Sequence, residues 1–313
     1  MANKLAAVAV AACGLAFAAS AAVLNTSAAS KPPSPATTTA QPAKIASTGE
    51  LLGMSSTWPL TTPVANAAAI GVQKQPAPLV SPALRTLAPL DLTTLRLWNW
   101  SGKWIGSEWS NANSPLPWKF NHIKQPAAAD TLLTLDAEGA PQLQAGASEA
   151  KRDGLWETDV TLPQLRDGLI VAPLWLYDPG SRDEIDFELA GKTGLDVSIH
   201  VYVNGVHKSK TVRLFAGTDM SGQRKRFGIK VDQLAGYAEI YLDGKLVHRW
   251  DRASLGYFVS RPLNPWIEIW AANPTNSGFV QWAGKWSALA PSQTLTLRVH
   301  GYGYSTLSGQ VIR

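Results

Sequence analysis

From about residue 92 onward the chain is written in short segments that alternate apolar and polar side chains, and this period of two argues against most helical folds. The runs GLWETDVTL (154–162), LIVAPLWLY (169–177), DEIDFELA (183–190) and DVSIHVYV (196–203) are the clearest, and YAEIYL, KLVHRW, PWIEIWAA and TLTLRVHGY continue the series. Asn204-Gly205 and Asp243-Gly244 fall between such runs, and these dipeptides tolerate the two positive-φ positions of a tight hairpin turn. Helical periodicity over about twelve residues is hard to find. Many short strands punctuated by Gly, Asn, Asp and Pro predict an all-β, antiparallel two-sheet sandwich, with residues 91–313 as one domain. Twelve of the thirteen tryptophans lie between Trp98 and Trp286, within that region.

The chain upstream has another texture. Residues 1–22, MANKLAAVAVAACGLAFAASAA, combine one early lysine, an apolar run and a small-residue end, the pattern of a secretory signal cleaved near Ala19-Ser20-Ala21. The run is alanine-rich and lacks a basic stop-transfer flank, so no stable membrane insertion is expected. The expected location is therefore outside the cytoplasm, periplasmic or extracellular. Cys13, the single cysteine, lies inside the signal; VAAC before Gly14 loosely resembles a lipoprotein cleavage box, and anchoring there is the minor alternative. Once the signal is removed, disulfides and thiolate metal sites are excluded. Residues 23–90 are rich in Ala, Pro, Thr and Ser, too poor in large apolar side chains to offset chain entropy, and are expected to form a disordered linker. The net charge of +5 includes a basic cluster at SGQRKRFGIK (221–230), but no nucleic-acid motif accompanies it and no such partner is expected.

Within SRDEIDFELAG (181–191), Glu184, Asp186 and Glu188 occupy every second position of a chain with only 23 acidic residues in 313. On a strand they share one face, while Ile185, Phe187 and Leu189 share the other and point into the core. Like charges side by side repel and raise each other's proton affinity, and an ordinary solvent face would mix Thr, Lys, Ser and Glu instead. The cost points to chemistry. Retaining glycoside hydrolysis needs a carboxylate nucleophile and a protonated second carboxyl about 5–5.5 Å away. Positions 184 and 188 are about 13 Å apart along an ideal strand, so bowing of the sheet and convergence of the two Glu side chains must close the gap. Asp186 between them would hold one proton or a hydrogen bond and push the neighbouring pKa values apart.

DEIDFELAG closely resembles the Glu-x-Asp-x-Glu signature of glycoside hydrolase family 16, in its lichenase-like subgroup. The resemblance extends through RDGLWETDVTLPQLRDGLIVAPLWLY, LAGKTGLDVSIHVYVNG, AEIYLDGKLVHRW and PLNPWIEIWAAN, covering roughly residues 95 to 305. It implies a concanavalin A-like jelly roll with a bent catalytic sheet, and retaining endo-acting hydrolysis of a β-linked polysaccharide. By position, it makes Glu184 the nucleophile, Glu188 the general acid/base and Asp186 the assisting carboxylate. No cofactor or catalytic metal is implied; a structural calcium occurs in some relatives, but no dedicated oxygen-rich loop is visible here. A monomer is expected.

Flat sugar faces need aromatic platforms beside the acids. Trp270 is the first candidate on the strength of the resemblance, followed by Tyr202 and Trp175, with Trp282 and Trp286 behind them. Three positions depart from the lichenase pattern: Arg182 where an aromatic is usual, His200 for an Asn, and Glu268 for an amide. Arg182 and His200 beside a cleft suit a carboxylate-bearing polysaccharide. Glu268 opposes that unless it pairs with one of the two bases. The expected substrate is a β-glucan or a glucose-containing bacterial exopolysaccharide. A transglycosylase using the same acids and a non-catalytic carbohydrate-binding sandwich are the alternatives.

Overall fold

The computed structural model describes residues 84–97, 102–127 and 130–312. The strands are β1 (Arg96–Leu97), β2 (Trp104–Gly106), β3 (Ile123–Ala127), β4 (Asp130–Leu135), β5 (Gln142–Ala145), β6 (Gly154–Thr161), β7 (Leu169–Tyr177) and β8 (Glu184–Ala190). They continue with β9 (Leu195–Val203), β10 (Val206–Leu214), β11 (Arg224–Asp232), β12 (Tyr237–Leu242), β13 (Lys245–Asp251), β14 (Asn264–Ala271), β15 (Leu295–Ser305) and β16 (Val311–Ile312). Two short helices interrupt them, α1 (Arg252–Leu255) and α2 (Ser277–Ala283). The expected signal lies outside the described residues, as does the expected linker up to residue 83. Among the described residues no helix is long and apolar enough to cross a membrane.

One sheet has the order β1-β2-β5-β14-β7-β8-β9-β10; the other runs β13-β12-β11-β6-β15-β4-β3, with β16 added on β15. Among the ladders of the described strands only the short β1–β2 pair is parallel. The all-β two-sheet sandwich is therefore as the alternation predicts. Asn204 and Gly205 take φ of 52° and 78°, Asp243 and Gly244 51° and 75°, and each pair closes a two-residue hairpin, β9–β10 and β12–β13.

The core lies between the sheets. Ile185, Phe187 and Leu189 are completely buried, and Phe187 meets Phe227 of β11 edge-on at 5.1 Å. Burying such a ring stabilises the sandwich by about 1.5–3 kcal/mol and fixes which face of β8 is left for the acids. Pro173 stands inside β7, and the ladders to β8 and β14 both shift register beside it. A residue without an N–H cannot continue a ladder, so a bulge forms there.

The domain starts earlier than residue 91. Residues 84–90, grouped by composition with the linker, lie against the second sheet: Ala88 bridges Tyr302, and Leu87 and Leu90 are buried. Proline excludes a segment from regular structure, but it does not prevent an extended strap from docking where a sheet supplies partners.

Candidate active site

Cross-strand register assembles the site. Glu184 lies opposite Tyr177 on β7 and His200 on β9; Asp186 lies opposite Trp175 and Ser198; Glu188 lies opposite Asp196. All three acids are buried. Burial drives the Glu184 carboxyl well above its ordinary range, and the charges of Asp186, Glu188 and Glu268 push it further. Glu184 therefore holds a proton more tightly than an isolated carboxyl would. His200 Nε2 stands 3.5 Å from Asp186 Oδ2.

Toward β7 and β14 the wall is aromatic. Trp175 and Trp266 approach to 4.7 Å between ring centroids, and Tyr177 packs on both at 5.4 and 5.9 Å. The indole N–H groups of Trp175 and Trp266 and the Tyr177 hydroxyl have no hydrogen-bond partner among the described residues. Buried donors of this kind are normally satisfied, so a ligand's hydroxyls or water are their natural partners. Trp175 thus stands beside the acids as expected, while Trp266 was not foreseen. Alternation along PWIEIWAA puts Trp266 on one face with Glu268 and Trp270, so the signal was present in the sequence. Trp270 shares that face, but its ring packs edge-on against Phe279 of α2 at 5.7 Å. The Trp270 indole N–H, like those of Trp175 and Trp266, has no hydrogen-bond partner among the described residues. Trp286 lies under the Arg166 guanidinium, 4.8 Å from it.

Glu268 does not pair with a base. It accepts a short hydrogen bond from Gln142 Nε2, and Gln142 Oε1 in turn accepts from Ser107 Oγ at 2.5 Å. Burial, opposed by the Gln142 bond and assisted by the Asp186 charge, pushes its pKa up to about 8. A carboxyl with a raised folded pKa gives stability that is complete below pH 4.5 and is lost as pH rises through 8. Unfolding free energies measured from pH 5 to 8.5 should therefore fall for the wild type relative to Glu268→Gln, by on the order of 4 kcal/mol. Parallel curves for the two proteins would show an ordinary carboxyl at this position.

Toward β9 and β10 the wall is polar. Arg182 adopts φ 63° just before β8, a region costly for a side chain of this size, and its guanidinium lies over Tyr202 at 4.6 Å. It makes no ion pair among the described residues, and Asp183 instead accepts from the N–H and hydroxyl of Ser260. His200 Nδ1 is 3.1 Å from Nε2 of His207 on β10. Asp196 is held by Arg213 Nε and Nη2 at 2.7 and 2.6 Å and by Trp282 Nε1 at 2.7 Å, which ties α2 to the strand facing Glu188. No cluster of three or more His, Cys, Asp or Glu among the described residues is arranged to hold a metal ion.

A two-sheet sandwich with three acids along one face of an inner strand and an aromatic wall beside them is an arrangement that can carry glycoside chemistry. Residues 104–288, more than half of the chain, match Glycosyl hydrolases family 16, and the chain belongs to that family. Solved structures agree on the fold. A Bacteroides ovatus family-16 enzyme of a mixed-linkage glucan locus, in complex with a G4G4G3G product, superposes with a TM-score of 0.54 at 15% identity, covering 64% of this chain and 94% of its own. A Bacillus licheniformis β-glucanase gives 0.52 at 18% identity, covering 66% and 94%. A β-1,3-1,4-glucanase (lichenase) from a mouse hindgut metagenome gives 0.52 at 17%, covering 65% and 93%. No curated protein matches by sequence.

Proposed function

We propose that the protein is an exported, retaining endo-β-glycosidase that cleaves a β-glucan or a glucose-containing bacterial exopolysaccharide. The observation that carries this reading is the row Glu184, Asp186, Glu188 on one face of β8 within a family-16 sandwich. In the first displacement the Glu184 carboxylate attacks the anomeric carbon, the glycosidic C–O bond breaks, and Glu188 gives its proton to the leaving oxygen. In the second, Glu188 takes a proton from water, the water oxygen attacks the same carbon, and Glu184 departs. Asp186 sits between them, and its charge adds to the burial that raises the proton affinity of Glu184. The glucanases among the similar structures support a glucan as substrate.

One feature favours an acidic polysaccharide. The exposed Arg182 guanidinium is stacked on Tyr202 and forms no ion pair among the described residues. Glu268 does not oppose an anionic ligand, because it is neutral below about pH 8 and is bound to Gln142 on β5, on the other side of the acid row. The test is to incubate the protein with mixed-linkage glucan, laminarin, xyloglucan and carboxylate-bearing exopolysaccharides and to identify the new reducing ends. Internal cleavage with retained configuration is expected, and products longer than the substrate would instead mark a transglycosylase. Arg182→Ala should raise KM for an acidic polymer by about tenfold or more, the worth of one charge-assisted hydrogen bond, and leave a neutral one unaffected. Equal KM values for wild type and variant on the acidic polymer would remove Arg182 from substrate recognition.

A further inference from the structure

The polar wall contains a residue that the reaction scheme above does not use. His207 is half-buried on β10, its ring parallel to that of His200 within 5° and 5.3 Å away, and its Nε2 lies 3.1 Å from His200 Nδ1. Its other face meets Tyr202 at 5.0 Å, and Tyr202 in turn carries Arg182. His200 is buried, and its Nε2 stands 3.5 Å from Asp186 Oδ2; neither atom has a hydrogen-bond partner among the described residues, so each is the other's nearest complement.

We propose that His207 is a positioning residue for the acid row: its Nε2–H donates to Nδ1 of His200 and so holds His200 in the tautomer whose Nε2–H faces Asp186. The argument is one of donors and acceptors. A carboxylate only accepts, so a nitrogen that serves the charged form of Asp186 carries the hydrogen. A neutral imidazole with hydrogen on Nε2 has a bare Nδ1, which in turn needs a donor. The atom within reach is His207 Nε2, and that atom must therefore be protonated.

The surroundings permit this arrangement. His200 is faced by Glu184 and Asp186 from β8, by Ser209 from β10, and by Ser198 and Tyr202 along its own strand. Tyr177 looks across Glu184 from β7, and Arg182 reaches the group only through Tyr202. Asp196 is committed to Arg213 and Trp282, while the charges of Glu188 and Glu268 act on Glu184. Burial and the nearby His200 both lower the proton affinity of His207, which keeps it neutral and able to play a single donor role. An N–H held toward Asp186 favours its anionic form. Without it the row binds its proton more tightly and Glu184 is harder to ionise.

Two readouts test the proposal, and the first does not depend on the glycosidase reading. In ¹⁵N-edited spectra of the intact protein near neutral pH, His200 should carry its proton on Nε2 alone; a proton on Nδ1, or a doubly protonated ring, overturns the proposal. His207→Phe keeps a ring but removes the donor, and a population of His200 with hydrogen on Nδ1 should then appear. His207→Gln, whose amide N–H takes the place of the Nε2–H, should restore the wild-type tautomer. The second readout rests on the proposed activity. His207→Phe should lower kcat about ten- to a hundredfold with KM unchanged, as when a second partner that orients a functional imidazole is removed. The ascending limb of its kcat/KM profile should move to higher pH, and His207→Gln should recover both. A wild-type tautomer and pH profile in His207→Phe overturns the proposal. Absence of glycan cleavage in the wild type bears on the proposed function and leaves the spectroscopic result to decide.

Discussion

Replacing Glu184 with Ala should abolish polysaccharide cleavage, lowering turnover on the order of 10⁴- to 10⁶-fold, while the domain becomes no less stable. The two halves of this expectation have one cause. Glu184 is buried beside Asp186 and Glu188, and both burial and their charges raise its proton affinity, so in the resting fold it is a liability. Removing it relieves desolvation and repulsion together, as is common where a site is strained for function. Sodium azide makes the assignment specific. On an activated aryl β-glycoside, Glu184→Ala leaves a gap on the face opposite the leaving group, so azide should enter there and give the α-glycosyl azide. Glu188→Ala keeps the covalent intermediate, and azide attacking that intermediate should give the β-product. An α-azide from Glu188→Ala would exchange the two roles. Full hydrolysis by Glu184→Ala would remove the residue from the mechanism.

The acid row was legible because a strand has a strict period of two: once Ile185, Phe187 and Leu189 are assigned to the core, the acids can only share the other face. The hairpins were legible for a similar reason. An Asn-Gly turn that pairs Val203 with Val206 also sets Asp196 against Arg213, and the structure has them bonded through two nitrogens. That ion pair and the approach of His207 to His200 could thus have been drawn from the turn alone, by counting back along both strands. Other features had no local signal. The hold of Trp282 on Asp196 joins positions 86 apart in sequence, and nothing in QWAGKW announces it. Likeness to a family strand singles out Trp270 and is silent on Trp266, which shares its face. The packing of Trp270 against Phe279 depends on where α2 lies, and a strand pattern does not contain that information. The Pro/Ala-rich composition before residue 91 concealed a docked segment, because composition reports what a chain can bury by itself and not what a neighbouring sheet offers it.

That docked segment carries the second large effect. Arg85 donates through Nε and Nη2 to Glu157 Oε2 at 3.1 and 2.8 Å, and Arg226 Nε holds the other oxygen at 2.9 Å. Arg226 Nη1 closes the ring on the Arg85 carbonyl. Leu87 is 8% exposed and Leu90 4%, and the Leu90 carbonyl accepts from Gln125 Nε2. The sheet is shaped to receive the strap, since a Cβ on Gly301 would lie 2.7 Å from Leu87 Cβ and 3.0 Å from the Ala88 carbonyl. Leu87→Ala with Leu90→Ala should therefore lower the unfolding free energy of the full chain by roughly 4 kcal/mol or more, at the low end of about 2–5 kcal/mol for each buried leucine. Gly301→Ala should cost about 1–3 kcal/mol by forcing the strap off its seat, because the clash is with backbone and Cβ atoms that cannot rotate away. In the Leu87→Ala, Leu90→Ala background the same change should cost less, the strap being already loosened. Strict additivity in that cycle, read from urea midpoints, would mean that the segment is not seated on Gly301 in solution. A non-additive cycle would place the start of the folded domain at the strap and make any truncation at residue 91 a destabilised protein.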